Sequence, residues 1–519
     1  MVPGSFSDAP LTVVSAAYSH GRWRADQPAV SCRRHRFDWG ELDRLSNRIA
    51  HRLIEHGLAR GDRVALLLGN RSETYACYLG IWKALGVVVP LSTLSSAAAL
   101  AGIVDDCEAR AYIADPEYAG LARDALALAR HQPRLVALPE ASAPLAEGSS
   151  GDLFAACDTA LPELPTLSDD CTIVYTSGTT GAPKGVVHTH GARVNFAVLR
   201  ALAWRIGLGA RLLTSTPLYH NGGFLMLMPA AINGGHLHVM ERFDMADFFA
   251  CIDQHGIEYT FVVPTQVSRL LADDTAVDRL RQSTLRKMVC AGAPLPDAEK
   301  SRIVELLGDR FAELYGSTEG FGTTIDGSEM RARPRSVGRP VPGADLRLID
   351  DEDRELGPGC IGEIVGRSPY LMRGYFRREA MTEEALWRDA QGRDYYRSGD
   401  LGQVDAQGYL SIVGRKKDML ISGGVNVYPR DIEAILETHP AVAEAAVVGL
   451  PDPQWGEVPA AAIVRDAGSN ADEAEMLAWV NERLGRPQRV RRLIFVDALP
   501  RNVLGKVVKP QLLERFQRP

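Results

Sequence analysis

The chain has 519 residues, more than one hydrophobic core usually serves, so two or more domains are expected. Its 46% hydrophobic and 24% charged residues exclude a largely disordered chain, and 58 Lys and Arg against 65 Asp and Glu (formal charge −7) leave no global attraction to nucleic acid or anionic lipid. Eight cysteines lie scattered without a C-x-x-C pair, the first ten residues lack a basic-then-apolar signal pattern, and the longest apolar stretch, about 224–232, falls far short of the ~20 residues a spanning helix needs. Reduced thiols, a cytoplasmic location, no membrane span and no nucleic-acid partner are the expectation.

From about Asp62 to Asp350 short β-branched or Leu-rich runs alternate with longer stretches of helical spacing. The runs are 63–69, 87–90, 172–176, 211–217, 259–264, 286–292 and 310–316; the helical stretches include Trp39 to His56, Asp244 to His255 and Pro296 to Leu307. That rhythm predicts βαβ crossovers and parallel sheets covered by helices, and its presence in an early and a middle block predicts two βα subdomains. Around Ala344 to Arg367 the pattern changes to strand, acidic turn, strand, which reads as a β-rich region. Past Arg415 come a Gly-rich segment, a helix near Asp431 to Glu437 and shorter α+β elements. A boundary is expected where a strand ending in Gly414 meets Arg-Lys-Lys-Asp418, giving domains 1–413 and 419–519 with a hinge at 414–418. The stretch Pro139 to Gly151 is expected to be a mobile loop.

The strongest chemical signal is Tyr175-Thr-Ser-Gly-Thr-Thr-Gly-Ala-Pro-Lys184-Gly. Backbone N–H groups in such a loop can converge on an anion, the hydroxyls add donors, and Lys184 supplies charge. The spacing is not that of the Walker loop, and Ser177 lies in no nucleophile elbow. Gly357-Pro-Gly-Cys-Ile-Gly362 fits G-x-G-x-x-G, but no helix opens on it, so a hairpin turn is expected. Three segments end predicted strands: 217–223 with His220, 290–294, and Tyr315-Gly-Ser-Thr-Glu319. Ligands bind beyond the carboxyl ends of open parallel sheets, so these turns can share one crevice, where Glu319 would be a hard oxygen ligand for Mg²⁺ on a phosphate substrate. Taken singly, a Glu after a strand is a solvated residue, and His220 is a polar loop residue.

The run 175–185, Tyr315 to Glu319, Tyr396-Arg-Ser-Gly-Asp400, Gly414 to Asp418 and Pro500-Arg-Asn-Val-Leu-Gly-Lys506 together resemble, in order and spacing over essentially the whole chain, the motifs of the adenylate-forming superfamily. Ile421-Ser-Gly-Gly-Val-Asn-Val-Tyr-Pro429 further resembles its AMP-forming acyl-CoA synthetases. The resemblance implies an α/β fold with a large N-terminal domain, a hinge and a small mobile α+β C-terminal domain. It implies that Thr176, Ser177, Gly178, Thr179, Thr180, Gly181 and Lys184 wrap the pyrophosphate end of ATP. Gly292, Ala293, Pro294 and Tyr315 would border the adenine, and Thr318 and Glu319 would serve phosphate and Mg²⁺. Asp400 would accept from the ribose hydroxyls, with Arg415 as a further donor. Lys417 would be the pivot, Lys506 would bridge the substrate carboxylate and the α-phosphate, and His220 would mark the mouth of the acyl pocket. Gly423, Gly424 and Trp455 resemble CoA-ligase features.

The implied reaction has two steps: a carboxylate attacks the α-phosphorus of Mg·ATP to give acyl-AMP and pyrophosphate, and the CoA thiol then expels AMP. Two alternatives are weighed: loading of a carrier-protein phosphopantetheine, and a non-catalytic nucleotide-binding regulator. The pocket residues Asn221, Gly222, Gly223, Phe224, Gln266, Ala291 and Gly292 are small or uncharged, with no evident Arg or Lys for a second carboxylate. An apolar monocarboxylic acid, aliphatic or aromatic, is therefore expected. Monomer and homodimer both stay open.

Overall fold

The computed structural model of the chain describes residues 10–137, 153–154, 156–177, 183–466, 468–501 and 507–517. The predicted mobile loop 139–151, apart from its neighbours, lies outside them, as do 178–182 and 502–506. Three sheets carry the architecture. The first has seven strands in the order Gly374–Tyr375, Pro183–Thr189, Asp170–Ser177, Val87–Pro90, Arg63–Leu67, Ala111–Ala114, Arg134–Ala137. Its Val87–Pro90 and Arg63–Leu67 strands are buried almost throughout, as expected of parallel strands covered on both faces. The helices obey local rules: Trp39–Glu55 opens on a reciprocal cap, Asp38 accepting from Glu41 N at 2.7 Å while Glu41 accepts from Asp38 N at 3.0 Å.

The second sheet runs through 15 strands. Its parallel part orders Pro28–Ser31, His236–Val239, Arg211–Thr214, Tyr259–Val262, Lys287–Cys290 and Phe311–Gly316. The direction then reverses: Gly322–Asp326 and Ser336–Pro340 pair antiparallel and carry the ladder into Leu410–Arg415, Asp394–Val404, Ile361–Arg367 and Asp345–Ile349. The predicted β-rich region is thus hydrogen-bonded to the second α/β sheet rather than set apart from it. Between Glu355–Leu356 and Ile361–Arg367 residues 357–360 make a turn, but not the expected hairpin: the two strands pair with opposite edges of Asp345–Ile349 and not with each other, and Ile361 and Gly362 already open the second strand.

A single 3₁₀ turn, Lys416–Asp418, leads from Leu410–Arg415 to the third sheet, five strands in which central Gly456–Arg465 pairs along its length with the long antiparallel edge strand Val442–Asp452. Helices Pro429–Leu436, Glu473–Arg483 and Lys509–Gln517 accompany it, and this smaller domain has its own core around Val447, Ala461 and Ile463. Among the described residues no helix is long and apolar enough to cross a membrane.

One polar cluster interrupts the second sheet. Ser31 Oγ lies 2.7 Å from His236 Nε2 and 2.9 Å from His238 Nδ1, His238 Nε2 lies 3.1 Å from Cys251 Sγ, and His255 stacks on His238 at 4.6 Å. Burial, and then the neighbouring histidines, pull His236 down to about 3; burial and His255 pull His238 down to about 4. Arg36 and Arg211 face the same cluster and oppose protonation. Unfolded histidines titrate near ~6.5, so the unfolded chain binds more protons below that pH. Stability from this cluster is complete above about pH 6.5 and is lost progressively as the pH falls toward the folded values of about 4 and 3. The melting temperature should therefore drop between pH 6.5 and 5, and His238→Gln should shallow that drop. An identical pH slope in the variant would show that the cluster contributes nothing.

Candidate active site

Four parallel strands, Arg211–Thr214, Tyr259–Val262, Lys287–Cys290 and Phe311–Gly316, are neighbours in the second sheet, so the turns leaving their carboxyl ends emerge side by side. This brings His220, Asn221, Gly222, Gln266, Ala291, Gly292, Ala293, Pro294, Thr318 and Glu319 to one edge, with Tyr315 at the end of its strand. Gly292 has φ +103°, a backbone region that side chains disfavour.

The first sheet meets this edge through a hairpin. Asp170–Ser177 returns antiparallel as Pro183–Thr189, with Thr176 opposite Lys184 and Tyr175 opposite Gly185. Lys184 thus stands on a strand rather than in the loop that its spacing suggested. Gly185 is required there, since a Cβ would lie 2.7 Å from Ile173 Cγ2 and 3.0 Å from the Tyr175 ring. Gly178, Thr179, Thr180 and Gly181 and the side chain of Ser177 lie outside the described residues. Thr176 Oγ1 is buried without a partner among the described residues, an acceptor and donor held ready for a ligand.

Lys184 reaches across the seam between the sheets: its Nζ is 3.0 Å from Glu319 Oε1 and donates to Tyr375 Oη at 2.5 Å, while Tyr375 donates to Glu319 Oε1 at 2.9 Å. Tyr396 lies against both Tyr375 and Glu319. Burial, then the Glu319 charge, pushes both phenols far up, so they stay protonated and act as donors. A second group adjoins: Tyr315 donates to Asp400 Oδ2 at 2.7 Å, and Arg415 Nε pairs with Asp400 Oδ1 at 2.7 Å from the facing strand position. Asp400 is buried, so this is no solvated surface bridge. Phe321 joins the groups, its ring 6.0 Å from Tyr315 and 6.3 Å from Tyr396.

Beside them, His220 leans on Tyr219 at 4.6 Å; its Nε2 is buried and has no partner among the described residues, and burial pulls the ring down to about 4. It is neutral near pH 7. A Cβ on Gly222 would come 3.0 Å from Phe261, an aromatic that sequence reasoning passed over. Phe224 is fully buried behind this turn, 5.7 Å from Tyr78 and 4.5 Å beneath the Arg193 guanidinium. Gln266 is held by its own helix start, accepting from Val263 N at 3.0 Å and donating to Ser215 Oγ at 3.1 Å. Arg193 donates to Asn221 Oδ1 at 2.8 Å, so a cation does stand behind the pocket residues, contrary to expectation. It sits two turns of chain away from any motif, and only its burial betrays it.

In the smaller domain Gly423 N donates to Trp455 O at 2.8 Å, and a Cβ on Gly423 would collide with the Trp455 ring at 2.7 Å, so Gly423, adjacent Gly424 and Trp455 form one group. Lys417 is exposed in its single turn. Lys506 lies outside the described residues.

A family model described as "AMP-binding enzyme" matches residues 19–376, and one described as "AMP-binding enzyme C-terminal domain" matches 431–506. The chain belongs to the AMP-binding enzyme family. Among relatives, a feruloyl-CoA synthase of Amycolatopsis sp is 34% identical over 92% of this chain and 94% of its own. The fatty acid–[acyl-carrier-protein] ligase ScoC of Streptomyces coeruleorubidus is 33% identical over 97% and 96%. The crystal structure of ATP-bound MatB from Rhodopseudomonas palustris superposes with a TM-score of 0.86 at 29% identity, covering 98% of this chain and 99% of that one. The chain is accordingly an adenylate-forming enzyme with the large and small domains its motifs announced.

Tyr375 is the element of this site that no spacing revealed. Tyr375→Phe should fold but leave the buried Glu319–Lys184 pair two hydrogen bonds poorer, one from Lys184 to the phenol and one from the phenol to Glu319, and bonds to charged groups contribute about 1.5–3 kcal/mol each. Titration of Mg·ATP should then show affinity lowered about tenfold or more. Unaltered affinity would mean that the phenol only fills space.

Proposed function

We propose that the chain is an AMP-forming acyl-CoA ligase that activates an uncharged-tailed monocarboxylic acid, aliphatic or aromatic, with ATP and transfers the acyl group to CoA. The observation carrying this reading is the convergence of Lys184, Glu319 and Tyr375 beside Tyr315, Asp400 and Arg415, around the carboxyl end of the parallel strand Phe311–Gly316. One group offers cation and donors to phosphates, the other a carboxylate suited to paired ribose hydroxyls.

Among the described residues no three His, Cys, Asp or Glu stand together as a metal site, and Glu319 would add one hard oxygen to an Mg²⁺ carried with the nucleotide. Bound there, Mg²⁺ would neutralise phosphate charge. In the first step the acid's oxygen attacks the α-phosphorus and pyrophosphate leaves. Lys184 and the 176–181 hydroxyls hold the leaving end, Arg415 and Asp400 fix the nucleoside, and Lys506 holds the two anions together. In the second step the thiol attacks the acyl carbon and AMP leaves. Neutral His220 borders the acid and adds no competing charge. Lys417, exposed between the domains, is the pivot of a hinge at 414–418, and Gly423, Gly424 and Trp455 form the thiol-side surface.

The ScoC likeness favours one second reading, a carrier-protein phosphopantetheine as acceptor. Offering CoA and a holo carrier protein side by side separates the two; thioester formed only on the carrier would replace CoA. Lys506→Ala tests the mechanism. Losing an electrostatic contact of this kind costs on the order of 10²–10³ in rate, here in acyl-AMP synthesis. With synthetic acyl-AMP and CoA supplied, thioester formation should stay near wild type. Equal impairment of both steps would remove Lys506 from the chemistry.

A further inference from the structure

Helix His190–Trp204 opens with Thr189 as its cap, and Arg193 stands in its first turn, where the partial positive end of the helix disfavours a cation. The residue is 1% exposed. Its Nε and Nη2 donate to Thr172 Oγ1 at 2.9 and 2.8 Å, its Nη1 donates to Asn221 Oδ1 at 2.8 Å, and the guanidinium lies over the Phe224 ring at 4.5 Å. None of these partners is a carboxylate. A buried charge held only by neutral groups is costly, and an apolar side chain of equal volume would fill the space more cheaply. Its one contact toward the surface is Asn221, a half-buried residue of the turn between His220 and Gly222.

A guanidinium only donates, so the Asn221 carboxamide has one orientation open to it: Oδ1 toward Arg193, Nδ2 with its two N–H bonds away. Nδ2 has no hydrogen-bond partner among the described residues. It belongs to the turn where His220 Nε2 is likewise unpartnered and where Gly222 leaves room before Phe261.

We propose that Arg193 is a specificity-determining residue that locks Asn221 with an N–H donor facing the acyl site, so that the enzyme prefers uncharged acids whose tail carries a hydrogen-bond acceptor, such as an ether or ketone oxygen, over their hydrocarbon isosteres. This rests on the reading of residues 220–224 as the acyl site. The guanidinium itself is sealed by Thr172 and Phe224, so it does not reach a second carboxylate. A site built to bond a polar group rejects the analogue that lacks it far more strongly than an apolar pocket rejects a methylene.

The test is pyrophosphate release by the full chain, with CoA, on two matched pairs: 4-methoxycinnamate against 4-ethylcinnamate, and 7-oxooctanoate against 7-methyloctanoate. The expected kcat/KM ratio is about tenfold or more toward the oxygen-bearing acid in the pair that is turned over. Asn221→Leu should bring that ratio to about one. Arg193→Met should do the same through KM, while Arg193→Lys, which keeps a donor for Oδ1, should retain most of it. Asn221→Leu changes a half-buried turn residue, so the test stands even if Arg193→Met does not fold. A ratio near one in the wild type, a ratio that survives Asn221→Leu, or a preference for the diacid octanedioate overturns the inference while leaving the ligase intact. Pyrophosphate release with none of these acids, the diacid included, overturns the ligase reading and the inference with it.

Discussion

A lysine on one sheet and a carboxylate on another make the contact on which the rest of the site depends. Lys184 belongs to the edge hairpin of the first sheet and Glu319 follows a parallel strand of the second, with Tyr375 serving both. Each charge is largely withdrawn from water, and removing either partner from such a pair strands the other at several kcal/mol, about 3–5 in buried pairs. The sheets are therefore held in one relation at this point, and that relation aligns the hairpin proposed to face phosphate with the turns that would receive nucleoside and acid.

The second sheet extends the same logic. By reversing direction after Phe311–Gly316 it carries Asp394–Val404 and Leu410–Arg415 around so that Asp400 and Arg415 face each other beside Tyr315. One continuous ladder thus runs from the parallel strands to the last residue before the turn Lys416–Asp418. The proposed pivot after that ladder would exchange the faces of the smaller domain without disturbing the groups proposed to hold the nucleotide.

Much of this was legible in the sequence because parallel strands buried on both faces leave a strong signal. The runs at 63–67, 87–90, 259–262 and 287–290 fall within the predicted ones, and the shared edge at the carboxyl ends of the second sheet's parallel strands follows from topology alone. The G-x-G-x-x-G at 357–362 is no dinucleotide fingerprint, because the strand Ile361–Arg367 and not a helix follows it. What escaped depends on contacts between distant segments. Tyr375 pairs with Val186 in a two-residue strand far too short to show a period, and Arg193 looks like any polar helix residue until its burial is known. Lys184 read as a loop residue because Gly and Pro around it hide a strand whose partner supplies the order.

Whether the acid is activated by bonding its own oxygen to the α-phosphorus can be read from isotope transfer. An acid labelled with ¹⁸O in its carboxylate, incubated with the enzyme, Mg·ATP and CoA, should leave one labelled oxygen in the AMP and none in the pyrophosphate, because the bridging oxygen departs with AMP when the thiol attacks the acyl carbon. Unlabelled AMP, or label recovered in inorganic phosphate, would contradict an acyl-adenylate at this site.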